Sequence, residues 1–198
     1  MNLESYRGLF LVVIVGLALV AASPVIGEVI PEEGSERFSE FWILGPDHVA
    51  KDYPFNVGVG NEYRVFVGVG NHMGDSEYYM VYVKLFNGIG SLPDIDDSQP
   101  SASDPLYEFK FFVDDEKVWE KPVIFGFEDV DFESNVLSIG NIMINDVIFP
   151  VHASVLWDSE RMGYFFEMFF ELWRYDVEHN TFRFDDRLVS LTLNVTGS

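Results

Sequence analysis

The sequence predicts an all-β protein: an immunoglobulin-like β-sandwich of about 7-8 strands preceded by one N-terminal transmembrane helix. Three observations point there. Phe 19, Tyr 9 and Trp 4 make 16% of the chain aromatic, and large aromatic side chains fit the pleated, half-buried surface of a strand. Several short segments alternate apolar with polar residues and are separated by turn-forming ones. An uncharged apolar run from Gly8 to Gly27 is followed directly by acidic chain.

That run has the length of the ~20 apolar residues a helix needs to cross a bilayer, and it has no polar face of the kind a soluble helix keeps. Arg7 precedes it, and Glu28, Glu32, Glu33 and Glu36 follow it. The N-terminal amine and Arg7 favour the cytoplasm, so the remainder is expected outside the cell, on a single-pass protein of the cell membrane. The organisation expected is a transmembrane anchor at 1–28, an acidic linker at 29–37 with Pro31 and Gly34, and an extracellular domain at 38–198. Two other fates stay open for the apolar run. It could be a secretory signal cut after Ala22, with Val20 and Ala22 as the small residues. Arg7-Gly8 before Leu9-Phe10-Leu11 also resembles the prepilin-type signal of archaeal filament subunits, which are cut after the Gly and pack the remaining helix into a filament.

Within the outer domain, Phe38 to Leu44 reads as a strand closed by the turn Gly45-Pro46. In Glu62 to Val69, Tyr63, Val65, Val67 and Val69 point one way and Arg64, Phe66 and Gly68 the other. The turn-rich Gly70-Asn71-His72-Met73-Gly74-Asp75 then leads into Glu77 to Phe86, and the pair is expected to form an antiparallel hairpin. Gly88 to Pro105, rich in Gly, Pro, Ser and Asp, reads as a long exposed loop. Leu106 to Val113 returns to strand. Val136 to Val155 holds one or two more, broken near Asn145-Asp146 and Pro150. Gly163 to Tyr175 fits a strand or a helix, and its aromatic content favours strand. Val189, Leu191, Leu193 and Val195 alternate in a last strand.

Charge and chemistry narrow the function. Lys+Arg 12 against Asp+Glu 33 gives a net charge of -21. Such a surface repels phosphate backbones and speaks against nucleic acid as a partner. With no cysteine, disulfides, thiol nucleophiles and cysteine metal sites are excluded. His48, His72, His152 and His179 have no metal-binding spacing, and His72 in its turn is expected to make a local hydrogen bond. Nothing fits a Gly-x-Ser-x-Gly elbow. No enzyme is expected and no cofactor; calcium is the one possibility, through the oxygen ligands of Asp94, Asp96, Asp97 and Asp104.

The most informative surface is the strand at 163–175. Phe165, Glu167, Phe169, Glu171 and Trp173 would share one face, an apolar patch between acids suited to a protein partner. Trp173 with Arg174 and Asp176 keeps a sugar ligand open. Asn194-Val195-Thr196 is an N-glycosylation acceptor pattern, with Asn194 on the polar side of the last strand.

Phe38-Ser-Glu-Phe-Trp-Ile-Leu-Gly-Pro46, Tyr53-Pro-Phe-Asn-Val-Gly-Val-Gly60, Val67-Gly-Val-Gly-Asn-His72 leading to Glu77-Tyr-Tyr79, Phe170-Glu-Leu-Trp-Arg-Tyr175 and Leu191-Thr-Leu-Asn-Val-Thr196 follow in order. Together they resemble an uncharacterised archaeal membrane-protein family, domain of unknown function 1616, over roughly residues 22–196. The resemblance implies an archaeal origin and a membrane location, and no catalytic residues. Longer members of that family have several membrane helices before this domain, where this chain has room for one. The function expected is therefore that of a non-enzymatic, membrane-anchored cell-surface protein. It would hold lipid through Gly8–Gly27, and its acidic sandwich would contact other membrane or envelope proteins, or copies of itself. A filament subunit processed after Gly8, or a calcium- or glycan-binding surface module, are the alternatives.

Overall fold

A computed structural model describes residues 11–15, 17, 36–86 and 99–197. Of the apolar run only residues 11–15 and 17 are described; they are helical. Among the described residues no helix is long and apolar enough to cross a membrane. Phe38–Ser198 packs as one compact unit.

That unit holds ten strands in chain order: β1 (Phe38–Leu44), β2 (Asn56–Gly58), β3 (Tyr63–His72), β4 (Glu77–Leu85), β5 (Pro105–Val113), β6 (Lys117–Glu133), β7 (Val136–Ile144), β8 (Val147–Leu156), β9 (Phe165–Asp176) and β10 (Thr181–Thr196). They form two five-stranded sheets, β1-β3-β6-β7-β8 (sheet A) and β2-β10-β9-β4-β5 (sheet B). The pairs are antiparallel except that of β2 with β10, which is parallel.

Alternation builds the core. Val65, Val67 and Val69 of β3 and Val123, Phe125 and Phe127 of β6 face inward from sheet A. Val81 and Val83 of β4 and Phe166, Met168, Phe170 and Leu172 of β9 meet them from sheet B, with Leu191, Leu193 and Val195 of β10. Each such side chain contributes roughly 1.5–3 kcal/mol by leaving water. In sheet A the alternation changes phase at one level. Val123, Phe125 and Phe127 give way to Val130 on β6, and Leu137 and Ile139 to Ile142 and Ile144 on β7. Asp129 and His152 take left-handed φ at that level, and the β7–β8 register shifts between Ile139 and Asn141. Pro150 sits inside β8 rather than ending it. This is tolerated because β8 is an edge strand, where a missing N–H breaks no ladder.

The hairpin expected from residues 62–86 does not form. β3 pairs with β1 and β6 in sheet A, while β4 pairs with β5 and β9 in sheet B, so the turn between them crosses from one sheet to the other. Buried Asn71 organises the crossing. Its amide nitrogen donates to the carbonyls of Asp75 and Val113, both at 2.8 Å, and its amide oxygen accepts from the Met73 N–H and the Tyr79 hydroxyl. A turn-rich sequence marks a reversal, but only the buried asparagine says that the two strands part. β2, β6 and the first half of β10 carry no alternation that announces them. Lys117–Glu133 pairs with β3 over its first half and with β7 over its second, so its acids and lysines follow no single period.

Candidate interaction face

β9 lies between β10 and β4. Its even-numbered residues from Phe166 to Leu172 fill the core, so its odd-numbered ones stand on the outer face of sheet B. Neighbouring strands place their own outward residues beside them. At the end where β5 meets β4, Tyr78 stacks on Phe112 at 4.3 Å between ring centroids, and lies 5.8 Å from Tyr175 and 5.0 Å from Phe182. Tyr175 and Phe182 are cross-strand partners, 5.2 Å apart. One aromatic residue from each of β5, β4, β9 and β10 thus makes a continuous row, with Phe112 72% exposed. A second row lies behind it: Trp173 pairs with Met80 on one side and Phe184 on the other, with its ring 5.8 Å from that of Phe184.

Further along the same face the outward residues are covered. Lys84 Nζ and Glu171 Oε2 form an ion pair at 2.8 Å, with side chains 5% and 0% exposed. The cover is the chain at Ser101, whose N–H donates to Glu171 Oε1 at 2.6 Å and whose carbonyl accepts from Lys84 Nζ at 3.0 Å. The Trp173 indole N–H reaches Glu171 Oε2 at 3.4 Å.

The five residues expected to share an exposed face therefore separate. Trp173 belongs to the aromatic rows. Phe165 lies at the far end of β9, under the guanidinium of Arg161 at 4.0 Å and 6.0 Å from Phe55. Glu167 accepts a hydrogen bond from Thr192. Phe169 and Glu171 are buried, at 3% and 0% exposure, and form no part of an open patch. A strand in the middle of a sheet has neighbours on both sides, and the loop read as exposed lays its Ser101 end over its outer face. Alternation assigned these residues to a face and could not say what crosses it. The residues the sequence did not single out are Phe112, Tyr78, Tyr175, Phe182 and Lys84. Lys84, polar in the run Val81-Tyr-Val-Lys-Leu85, was the signal of something unusual on that face.

Beside the aromatic row, Arg174 is held between Glu77 at 3.5 Å and Asp185 at 3.2 Å, in a cleft of about 500 Å³ that Asp176, Arg183 and Arg187 also line. Burial raises the pKa of Glu77, and the charge of Arg174 opposes the rise. Asp176 is held below the usual carboxylate range by the His179 backbone N–H and imidazole and by Arg183.

Asp94, Asp96 and Asp97 lie outside the described residues. Asp104 is exposed, and among the described residues no three His, Asp or Glu gather in a way that could hold a metal ion. Asn194 is half-buried. Its amide nitrogen donates to Asn56 Oδ1 at 2.8 Å and its oxygen accepts from the Tyr164 N–H, so in the folded chain the glycosylation candidate serves to join β2 to the start of β9. His72 bonds to Glu116 in the turn between β5 and β6 rather than within its own turn.

Fold and face together define an all-β, two-sheet sandwich with an aromatic outer surface on one sheet. The chain belongs to the family described as Domain of unknown function (DUF1616), which it matches over residues 31–136; the motifs of β9 and β10 lie beyond the matched part. No curated protein matches. Among solved structures, the chain is similar to β-glucosidase from Listeria innocua in complex with glucose, at 12% identity and a TM-score of 0.38, covering 81% of this chain and 16% of that one. It is similar also to the β-glucosidase of Listeria innocua in a further structure, at 12% identity and a TM-score of 0.36, covering 82% and 16%. The chain thus spans 16% of the length of these enzymes.

Proposed function

We propose that this chain is a non-enzymatic, membrane-anchored protein of the archaeal cell surface, whose immunoglobulin-like sandwich contacts another membrane or envelope protein through the outer face of sheet B. The single observation that carries the reading is the aromatic row Phe112–Tyr78–Tyr175–Phe182. Aromatic clusters at a surface are where protein interfaces concentrate their binding energy. The apolar run at Gly8–Gly27 supports the anchor, and its flanking charges support an outward orientation. A protein partner fits the row better than a sugar chain does. The rings lie 4.3–5.8 Å apart, with Phe112 stacked on Tyr78 and Tyr175 and Phe182 tilted against it, which makes one compact knob rather than separate open platforms.

A pull-down from solubilised membranes tests this. The wild-type chain is expected to retain a specific partner, and Phe112→Ala combined with Tyr78→Ser to release it while the domain stays folded. Retention by the folded variant would overturn the reading.

A further inference from the structure

A charge on the outer face of a sandwich normally stays in water. Lys84 and Glu171 do not. Among the described residues Ser101 of their own chain meets both, and its contacts are through backbone: Glu171 accepts the N–H of Ser101 and Lys84 donates to its C=O. Burying two charges carries a desolvation penalty that their mutual attraction offsets only when the remaining donors and acceptors are also satisfied. Here, among the described residues, the N–H and C=O of Ser101 each take one of them, and the Trp173 indole N–H reaches Glu171. Reading the N–H and the C=O of one residue is how an edge strand recognises an extended segment whatever its side chain. This pair does it with side chains, from the middle of a sheet.

We infer that Lys84 and Glu171 form a peptide-backbone site, occupied in this structure by the chain's own Ser101, and that an extended segment of the partner takes Ser101's place when it binds. The inference rests on the reading of the outer face of sheet B as the contact face, and names the chemistry of its occupant: an extended peptide lying across β4 and β9. Its register is set by one N–H on Glu171 and one C=O on Lys84, and its flank reaches the Trp173 ring that borders the site. Phe169 and Tyr82, on the same face, would wall it.

The site and its internal occupant compete, so a peptide in solution binds in proportion to the fraction of chains whose site is empty. The probe is the free hexapeptide Gln-Pro-Ser-Ala-Ser-Asp, the sequence of residues 99–104 with blocked ends, titrated into the full chain in detergent and followed by Trp173 fluorescence. Ser101→Pro removes the N–H that Glu171 accepts and so weakens the internal occupant alone. The peptide is expected to bind this variant at least about tenfold more tightly than wild type, and to lose that gain when Glu171→Leu is added. Equal binding to wild type and to a folded Ser101→Pro chain would overturn the inference, as would binding to neither.

Amide hydrogen exchange on the wild-type chain supplies a test that needs no variant. Ser101 N–H is expected to exchange at least about tenfold faster than the Leu172 N–H inside β9, because local opening empties the site without unfolding the sheet. Exchange of both at one rate would make the pair a fixed rivet and end the proposal. The two readings fail separately. If the Phe112/Tyr78 variant keeps the partner, the contact face itself is wrong. If that variant releases the partner while Ser101→Pro leaves peptide binding unchanged, only the backbone site is wrong.

Discussion

Trp42 of β1 lies directly across from Gly68 of β3, and its indole presses so closely that a Cβ on residue 68 would sit 2.3 Å from the ring. The ring is rigid and cannot yield as a flexible side chain would. It covers the outer side of sheet A there and brings its N–H to 3.5 Å from Glu120 Oε2. Gly68→Ala is therefore expected to force the ring off the strand and cost about 1–3 kcal/mol, the usual range for overpacking. Denaturant unfolding would measure it, with the loss largely absent when Trp42→Ala is already present. Full loss in both backgrounds would mean that the glycine serves the backbone and not the ring.

Removing one member of the buried ion pair leaves the other charge without a partner in a dry place. Lys84→Met or Glu171→Leu alone is expected to lower stability by about 3–5 kcal/mol, and the double substitution to recover most of it. A double-mutant cycle by chemical denaturation gives the coupling, and independent, additive losses would contradict the pairing.

His72 stacks on Phe38 with ring centroids 4.7 Å apart and faces two carboxylates, Glu116 at 3.0 Å and Glu40 at 3.6 Å. The Glu116 hydrogen bond raises its pKa above the ordinary 6.5, and the charges of Glu116 and Glu40 add to the rise. A raised folded-state pKa means that the protonated imidazole contributes stability that is complete below pH 6.5 and fades as pH climbs through the folded value. An NMR titration should find His72 titrating above 6.5 in the wild type and at lower pH in Glu116→Gln. An unchanged midpoint in that variant would show the hydrogen bond does not set it.

Phe112 separates binding from folding. It is 72% exposed, so Phe112→Ala is expected to change stability by no more than about 0.5 kcal/mol while still weakening partner retention. A large fall in melting temperature would show instead that the row is a structural element of sheet B.

Asn71 fixes the crossing between sheets through four hydrogen bonds. Asn71→Leu leaves buried backbone groups unpaired, and a loss of about 1–3 kcal/mol is expected for each that finds no water. Thermal unfolding checks it. A stable variant would mean that the Tyr79 hydroxyl, whose pKa burial pushes up to about 12, holds the turn with Ser39 alone.

Strands whose two faces differ were legible from composition and spacing. Phe38–Leu44, β5 and the end of β10 alternate because one side meets the core and the other is more open to water, while the middle of β3 and β4 keep the alternation of apolar core residues although their outer sides are covered too. β6 was hidden because its two halves pair with different neighbours and its phase changes near Asp129, so no single period runs its length. The candidate face was half legible. The odd-numbered residues of β9 do share a side, but whether they are open depends on chain that is distant in sequence, Ser101 on Glu171 and Phe112 on Tyr78.

The sequence by itself determined the all-β class, the acidic surface, the family and the side of each regular strand on which a residue falls, because these follow from local periodicity and composition. Only the tertiary structure decided which strands pair, that the chain leaves sheet A for sheet B at Asn71, and which outward residues stay open to a partner. Those outcomes depend on contacts between residues far apart in the chain, where one buried side chain or one crossing loop outweighs what any local pattern can encode.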